Sequence, residues 1–140
     1  HDSVAESLTD TRISIFERSA LERMSSFDNY IVHRLEIQIC ALHDHAVLLG
    51  RKTATERVST YILNLAQSAH ENENSSPPQA LVIVPMTRSE IADYLGLTLE
   101  TVSRAFSRLK RLGVISYDRH DGPMRVALDR LGPLTGTYWT

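Results

Sequence analysis

Apolar and polar positions along the 140-residue chain recur with two different periods, and these periods divide it into elements. From about Asp28 to Leu49, the residues Val32, Leu35, Ile39, Leu42, Ala46 and Leu49 recur at steps of 3, 4, 3, 4 and 3. That is the a/d spacing of a heptad seam, so this stretch predicts a long helix that pairs in parallel with a second copy. Gly50 weakens the helix, and Thr53 with Glu56 then forms a capping box. A new helix is expected from there to about Ala69, with Val58, Ile62, Leu65 and Ala66 facing inward. Gly50 to Thr53 is a junction and a candidate hinge. The polar, proline-containing run His70 to Gln79 predicts an exposed loop. The β-branched run Leu81 to Val84, ended by Pro85, predicts a strand.

The most ordered pattern lies between Thr87 and Leu112. Thr87 and Glu90 form a second capping box, and Ile91, Ala92 and Leu95 supply a buried side. Gly96 permits the left-handed residue that ends this helix. Thr98 can cap another, in which Val102, Ala105, Phe106 and Leu109 face inward and Gly113 marks the stop. Glu100, Ser103, Arg104, Arg108 and Arg111 are left on the outward side. Two capped helices joined by a short Gly-Leu turn predict a helix-turn-helix whose second helix can reach base edges in a major groove. Val114 to Tyr117 and Met124 to Leu128, around a Gly-containing turn, predict a hairpin able to act as a wing. The tail with Leu131, Leu134 and Trp139 predicts at most a final helical turn. At the other end, Thr11 to Phe16 alternates like a strand, and Ser19 with Glu22 suits a short capped helix. A strand and a short helix without neighbouring strands read as the tail of a further domain, and a chain starting at His1 reads as a fragment of a longer protein. The fold class expected is mainly α with a small β component.

Composition changes this picture in one respect. The net charge of −2 is nearly balanced, but residues 98–125 hold six basic and three acidic residues, a net of +3. The remainder therefore carries −5, and charge segregated in this way suits a phosphate-facing surface. One cysteine permits no internal disulfide, and no apolar run is long enough to cross a bilayer. With no signal peptide, a cytoplasmic protein without membrane partners is expected. Cys40, His43 and Asp44 share a helix face, but they read as a small buried thiol beside solvated polar groups rather than a metal site. No nucleophile elbow or phosphate-binding glycine loop is present, so nothing supports an enzyme.

Glu90-Ile-Ala-Asp-Tyr-Leu-Gly-Leu-Thr-Leu-Glu-Thr-Val-Ser-Arg104 resembles the signature of the FNR and FixK branches of the CRP/FNR family of transcription regulators. Leu48 to Arg57 resembles that family's junction after the dimerisation helix, and Ala5 to Asp10 the late part of its sensory β-roll. The resemblance implies three parts: residues 1–27 as the end of a cyclic-nucleotide-binding-like β-roll, 28–52 as dimerisation helix and hinge, and 53–140 as a winged helix-turn-helix. It implies base contacts by Glu100, Ser103 and Arg104, with Leu99, Thr87, Arg88, Thr98, Thr101 and Arg108 completing the DNA-binding set. Leu99 stands where the cyclic-AMP-responsive branch has arginine, so a TTGAT-type palindrome is implied rather than a TGTGA-like one. The implied partners are double-stranded DNA, a second copy of the chain through Val32, Leu35, Ile39, Leu42, Ala46 and Leu49, and the RNA polymerase α subunit at the loop 70–79. Oxygen-sensing relatives place a cluster-ligating cysteine where Ser14 stands and an acidic residue where Leu42 stands. Both departures imply a FixK-like regulator, an activator, that dimerises without a cluster, and no cofactor or metal is expected. A winged-helix protein-interaction module and a cyclic-nucleotide-responsive regulator are the alternatives.

Overall fold

The computed structural model describes residues 7–23, 26–70, 79–117 and 122–136. The chain divides into two compact units, one up to Leu48 and one from Leu49 onward.

In the first unit, Thr11 to Phe16 forms no strand. A strand needs an edge to pair with, and the described residues of this unit contain none. A single helical turn, α1 (Arg18–Leu21), follows. Its N-cap is Glu17 rather than Ser19 and makes no side-chain cap bond. The long helix α2 (Phe27–Arg51) begins one residue before its expected start and continues through Gly50. An interior glycine costs a helix only about 1 kcal/mol, too little to end it. Cys40 is exposed, not buried as expected.

In the second unit, Thr53 starts α3 (Ala54–His70) through the expected capping box. The Thr53 N–H donates to Glu56 Oε2 at 2.7 Å, and the Glu56 N–H donates to Thr53 Oγ1 at 3.4 Å. Val58, Ile62 and Ala66 are buried, while Leu65 is only half-buried and Tyr61 lies inside instead. The helices α4 (Arg88–Leu95) and α5 (Leu99–Arg111) follow β1 (Gln79–Val82). Then come β2 (Ile115–Ser116), β3 (Met124–Ala127), the single turn α6 (Leu128–Leu131) and a 3-10 turn, Gly132–Thr135.

The three strands form one antiparallel sheet in the order β1-β3-β2. The expected hairpin is present, but each strand is shorter than expected, and Leu128 belongs to a helix. The strand before the helix-turn-helix also joins the sheet, on the far side of β3. It begins two residues earlier than predicted, so Ala80 and Val82 face the core and Ile83 is exposed. Val82 pairs with Met124, and the next residue is Pro123, which has no N–H to continue the ladder. The core is closed by Ile91, Leu95, Val102, Phe106 and Leu109 from the helices and by Ile115, Val126 and Leu131. The 3-10 turn straps onto α3: Lys52 Nζ donates to Thr60 Oγ1 at 2.8 Å, and Thr60 donates to the Thr135 carbonyl at 3.4 Å. The loop 71–78, the wing tip 118–121 and Trp139 lie outside the described residues.

Candidate nucleic-acid interface

Short-range bonds fix the geometry of α4 and α5. The Thr87 N–H donates to Glu90 Oε2 at 2.6 Å, and the Glu90 N–H donates to Thr87 Oγ1 at 3.3 Å. The Thr87 backbone N–H first, and the Thr87 side-chain hydroxyl second, hold the Glu90 carboxyl below its usual range by bonding its charged form. Gly96 ends α4 at φ +59°, and the Leu97 N–H reaches back to the Ala92 carbonyl at 2.9 Å. An L side chain at Gly96 would be strained in this left-handed conformation. Thr98 caps α5 by accepting from the Thr101 N–H at 3.2 Å, and the two threonine hydroxyls also share a 2.8 Å bond.

The turn between the helices is braced from below by Arg57, a residue that periodicity did not single out. Its guanidinium donates to the carbonyls of Leu95 at 2.9 Å and Gly96 at 3.5 Å. It also donates to those of Lys52 at 2.9 Å and Leu49 at 2.7 Å. One planar donor group therefore satisfies carbonyls left over at the ends of α2 and α4. The only signal in the sequence was an arginine one residue after the Glu56 of a capping box, and that signal is weak.

Beyond the Thr98 cap, Val102, Ala105, Phe106 and Leu109 turn into the core. Leu99, Glu100, Ser103, Arg104, Arg108, Lys110 and Arg111 are exposed. Glu100, Ser103 and Arg104 share the first exposed turns, where a carboxylate, a hydroxyl and a guanidinium can meet base edges. Arg104 Nη2 donates to Glu100 Oε1 at 2.5 Å, and Ser107 Oγ donates to the Ser103 carbonyl at 2.9 Å. Thr87 and Thr98 are exposed, and Thr101 is half-buried.

Arg88, half-buried like Thr101, is placed differently from the other charged residues of the set: its guanidinium carbon lies 3.3 Å from the centroid of the Phe106 ring. Burial lowers its pKa, and Tyr117 and Tyr61 oppose that shift. The Lys110 ammonium lies 4.5 Å from the centroid of the same Tyr117 ring.

Of the heptad positions, Val32, Leu35, Ile39, Leu42, Ala46 and Leu49 are all exposed on α2. Among the described residues no group of three possible ligands could hold a metal ion. No helix among the described residues is long and apolar enough to cross a membrane.

A family model described as a Crp-like helix-turn-helix domain matches residues 56–131. A probable transcriptional activator of Rhizobium leguminosarum bv. viciae is 39% identical over 118 residues, covering 81% of this chain and 48% of that protein. The transcriptional activator protein FnrL of Cereibacter sphaeroides is 40% identical over 116 residues, covering 79% and 46%. Among solved structures, FixK2 from Bradyrhizobium japonicum superposes with a TM-score of 0.65 at 34% identity, covering 87% of this chain and 60% of that one. The chain thus spans about half the length of the curated relatives it matches.

Proposed function

Since the chain belongs to the CRP/FNR family of transcription regulators, we propose that it binds double-stranded DNA sequence-specifically, as a homodimer, at a palindrome with TTGAT-type half-sites. One observation carries this reading: α5 presents Glu100, Ser103 and Arg104 outward from a helix whose opposite side is packed into the core. A carboxylate accepts from a cytosine amine, an arginine donates twice to guanine, and the exposed Leu99 offers a thymine methyl an apolar contact. Thr87, Thr98, Thr101 and Arg108 flank these readers and suit phosphate contacts. The basic end of α5, with Arg108, Lys110 and Arg111, has the charge that a phosphate backbone requires.

In this reading residues 28–52 are the dimerisation helix and hinge, residues 53–140 the winged helix-turn-helix, and residues 1–27 the end of a sensory β-roll. The exposed seam on α2 supports pairing. A two-fold dimer would place its recognition helices one turn of duplex apart, about 34 Å. The relatives' names are those of activators, which supports activation through a contact of the loop 70–79 with the RNA polymerase α subunit.

Selection of binding sites from a random duplex library, followed by titration at several salt concentrations, tests the proposal. The expected outcome is a two-fold-symmetric TTGAT-type consensus and an affinity that falls steeply with salt as counterions are released. Binding without any consensus would overturn the base-reading assignment, and absence of duplex binding would leave a protein-interaction module.

A further inference from the structure

We infer that Arg88 is a positioning residue, a pin that sets the angle of the recognition helix against α4 and the wing, rather than a phosphate contact. Arg88 is the first residue of α4, where an exposed cation would stand beside the duplex in the proposed complex. Its guanidinium carbon instead lies over the Phe106 ring on α5, 3.3 Å from the centroid. Phe106 is 2% exposed and sits midway along the packed side of α5. The same guanidinium feels the side chain of Tyr117, the residue that leaves β2 toward the wing. Lys110, one turn beyond Phe106 on α5, covers the Tyr117 ring. Arg88, Phe106, Tyr117 and Lys110 thus connect the start of α4, the middle and end of α5, and the base of the wing. A cation over an aromatic face contributes more as it loses water, and Arg88 is half-buried. Arginine suits this place, since its planar group can stack on the ring, whereas a lysine ammonium is a compact point charge.

The inference rests on the DNA-binding reading, so the test has one arm with DNA and one without. In the first arm the full chain and its Arg88→Lys, Arg88→Met and Phe106→Leu variants are titrated with the selected duplex and with a scrambled duplex, across salt. The pin predicts that Arg88→Met lowers the ratio of specific to non-specific affinity about tenfold, with an unchanged salt slope, and that Arg88→Lys fails to restore it. A salt slope reduced by about one in Arg88→Met, with recovery in Arg88→Lys, would identify a phosphate contact and overturn the inference. The second arm is a double-mutant cycle of Arg88→Met and Phe106→Leu in urea unfolding without DNA. The pin predicts a coupling of about three- to tenfold in the folding equilibrium constant. Additive effects would overturn it, including in a chain that binds no duplex. If Phe106→Leu does not fold, Phe106→Met, which also removes the ring, replaces it in both arms, and Phe106→Tyr, which keeps the ring face, is expected to retain selectivity in the first arm.

Discussion

Arg104 and Glu100 hold each other across one turn of α5, 2.5 Å apart, on side chains that are 79% and 72% exposed. An ion pair so open to water contributes less than about 1 kcal/mol to stability. Arg104→Ala and Glu100→Ala are therefore expected to leave thermal unfolding nearly unchanged. Each should weaken specific duplex binding by about 1–3 kcal/mol and relax selectivity at one base pair. Gel-shift titrations on half-sites substituted at each position check this. An equal loss on every sequence would show that the pair touches only phosphate.

Arg57 predicts the opposite separation of effects. It is half-buried, and its donors serve four carbonyls at Leu49, Lys52, Leu95 and Gly96. Arg57→Ala should cost roughly 2–3 kcal/mol in urea unfolding, because hydrogen bonds from a charged group are lost at helix ends. Arg57→Lys should recover less than half of that loss, since a single ammonium cannot span both sides of the cluster. Full recovery by lysine would mean that charge, not the planar fork, is what the carbonyls require.

These two arginines show what the sequence could disclose and what it could not. The capping boxes at Thr53 and Thr87, the left-handed Gly96 and the packed stripe of α5 are local. They depend on residues three or four apart, so spacing alone revealed them. Leu95 and Gly96, bonded by Arg57, and Phe106, under Arg88, lie far along the chain, and no period links Arg57 to Leu95 or Arg88 to Phe106. The β-branched run marks β1 as a strand, but its register and its place beside β3 depend on a partner more than forty residues later. Thr11 to Phe16 shows the converse, since its alternation describes a strand only where an edge is available to pair with.

Tyr61 gives a pH-dependent prediction. Its ring is 6.0 Å from that of Tyr94, and the hydroxyls of Tyr61 and Ser59 have no hydrogen-bond partner among the described residues. Burial pushes the Tyr61 pKa up to about 12, with Arg88 pulling it down and Tyr94 and Glu90 adding to the rise. In the unfolded chain the phenol ionises near pH 10. Its contribution to stability is therefore fully present below about pH 10 and is lost as pH rises toward 12, where the unfolded chain holds fewer protons. Tyr61→Phe should make the protein less sensitive to alkali over that window. At pH 7 it should leave stability unchanged or raise it by up to about 1 kcal/mol, because it removes an unsatisfied buried hydroxyl. Urea unfolding of both proteins at pH 7, 10 and 11 decides. A loss of stability at pH 7 would show that the hydroxyl has a partner.

The seam on α2 gives the last prediction. Leu42 is 70% exposed and Ile39 65% exposed in the single chain, and both lie on the line from Val32 to Leu49. Pairing with a second copy would remove that apolar surface from water, at about 25 cal/mol for each Å². An aspartate at position 42 would instead face its symmetry mate, so two like charges would lose water together. Leu42→Asp is expected to destabilise the dimer by about 3–5 kcal/mol, as for an unpaired buried charge, and to shift the protein toward monomer. Ala41→Asp, one residue along and about 100° around the helix, should leave the dimer intact. Sedimentation velocity of the unmodified chain and both variants over a concentration series measures this, and circular dichroism at 222 nm checks that α2 persists. If Ala41→Asp dissociates the dimer and Leu42→Asp does not, the contact line runs along a different face of α2. If the unmodified chain sediments as a monomer at every concentration, Val32, Leu35, Ile39 and Leu42 do not pair in this chain.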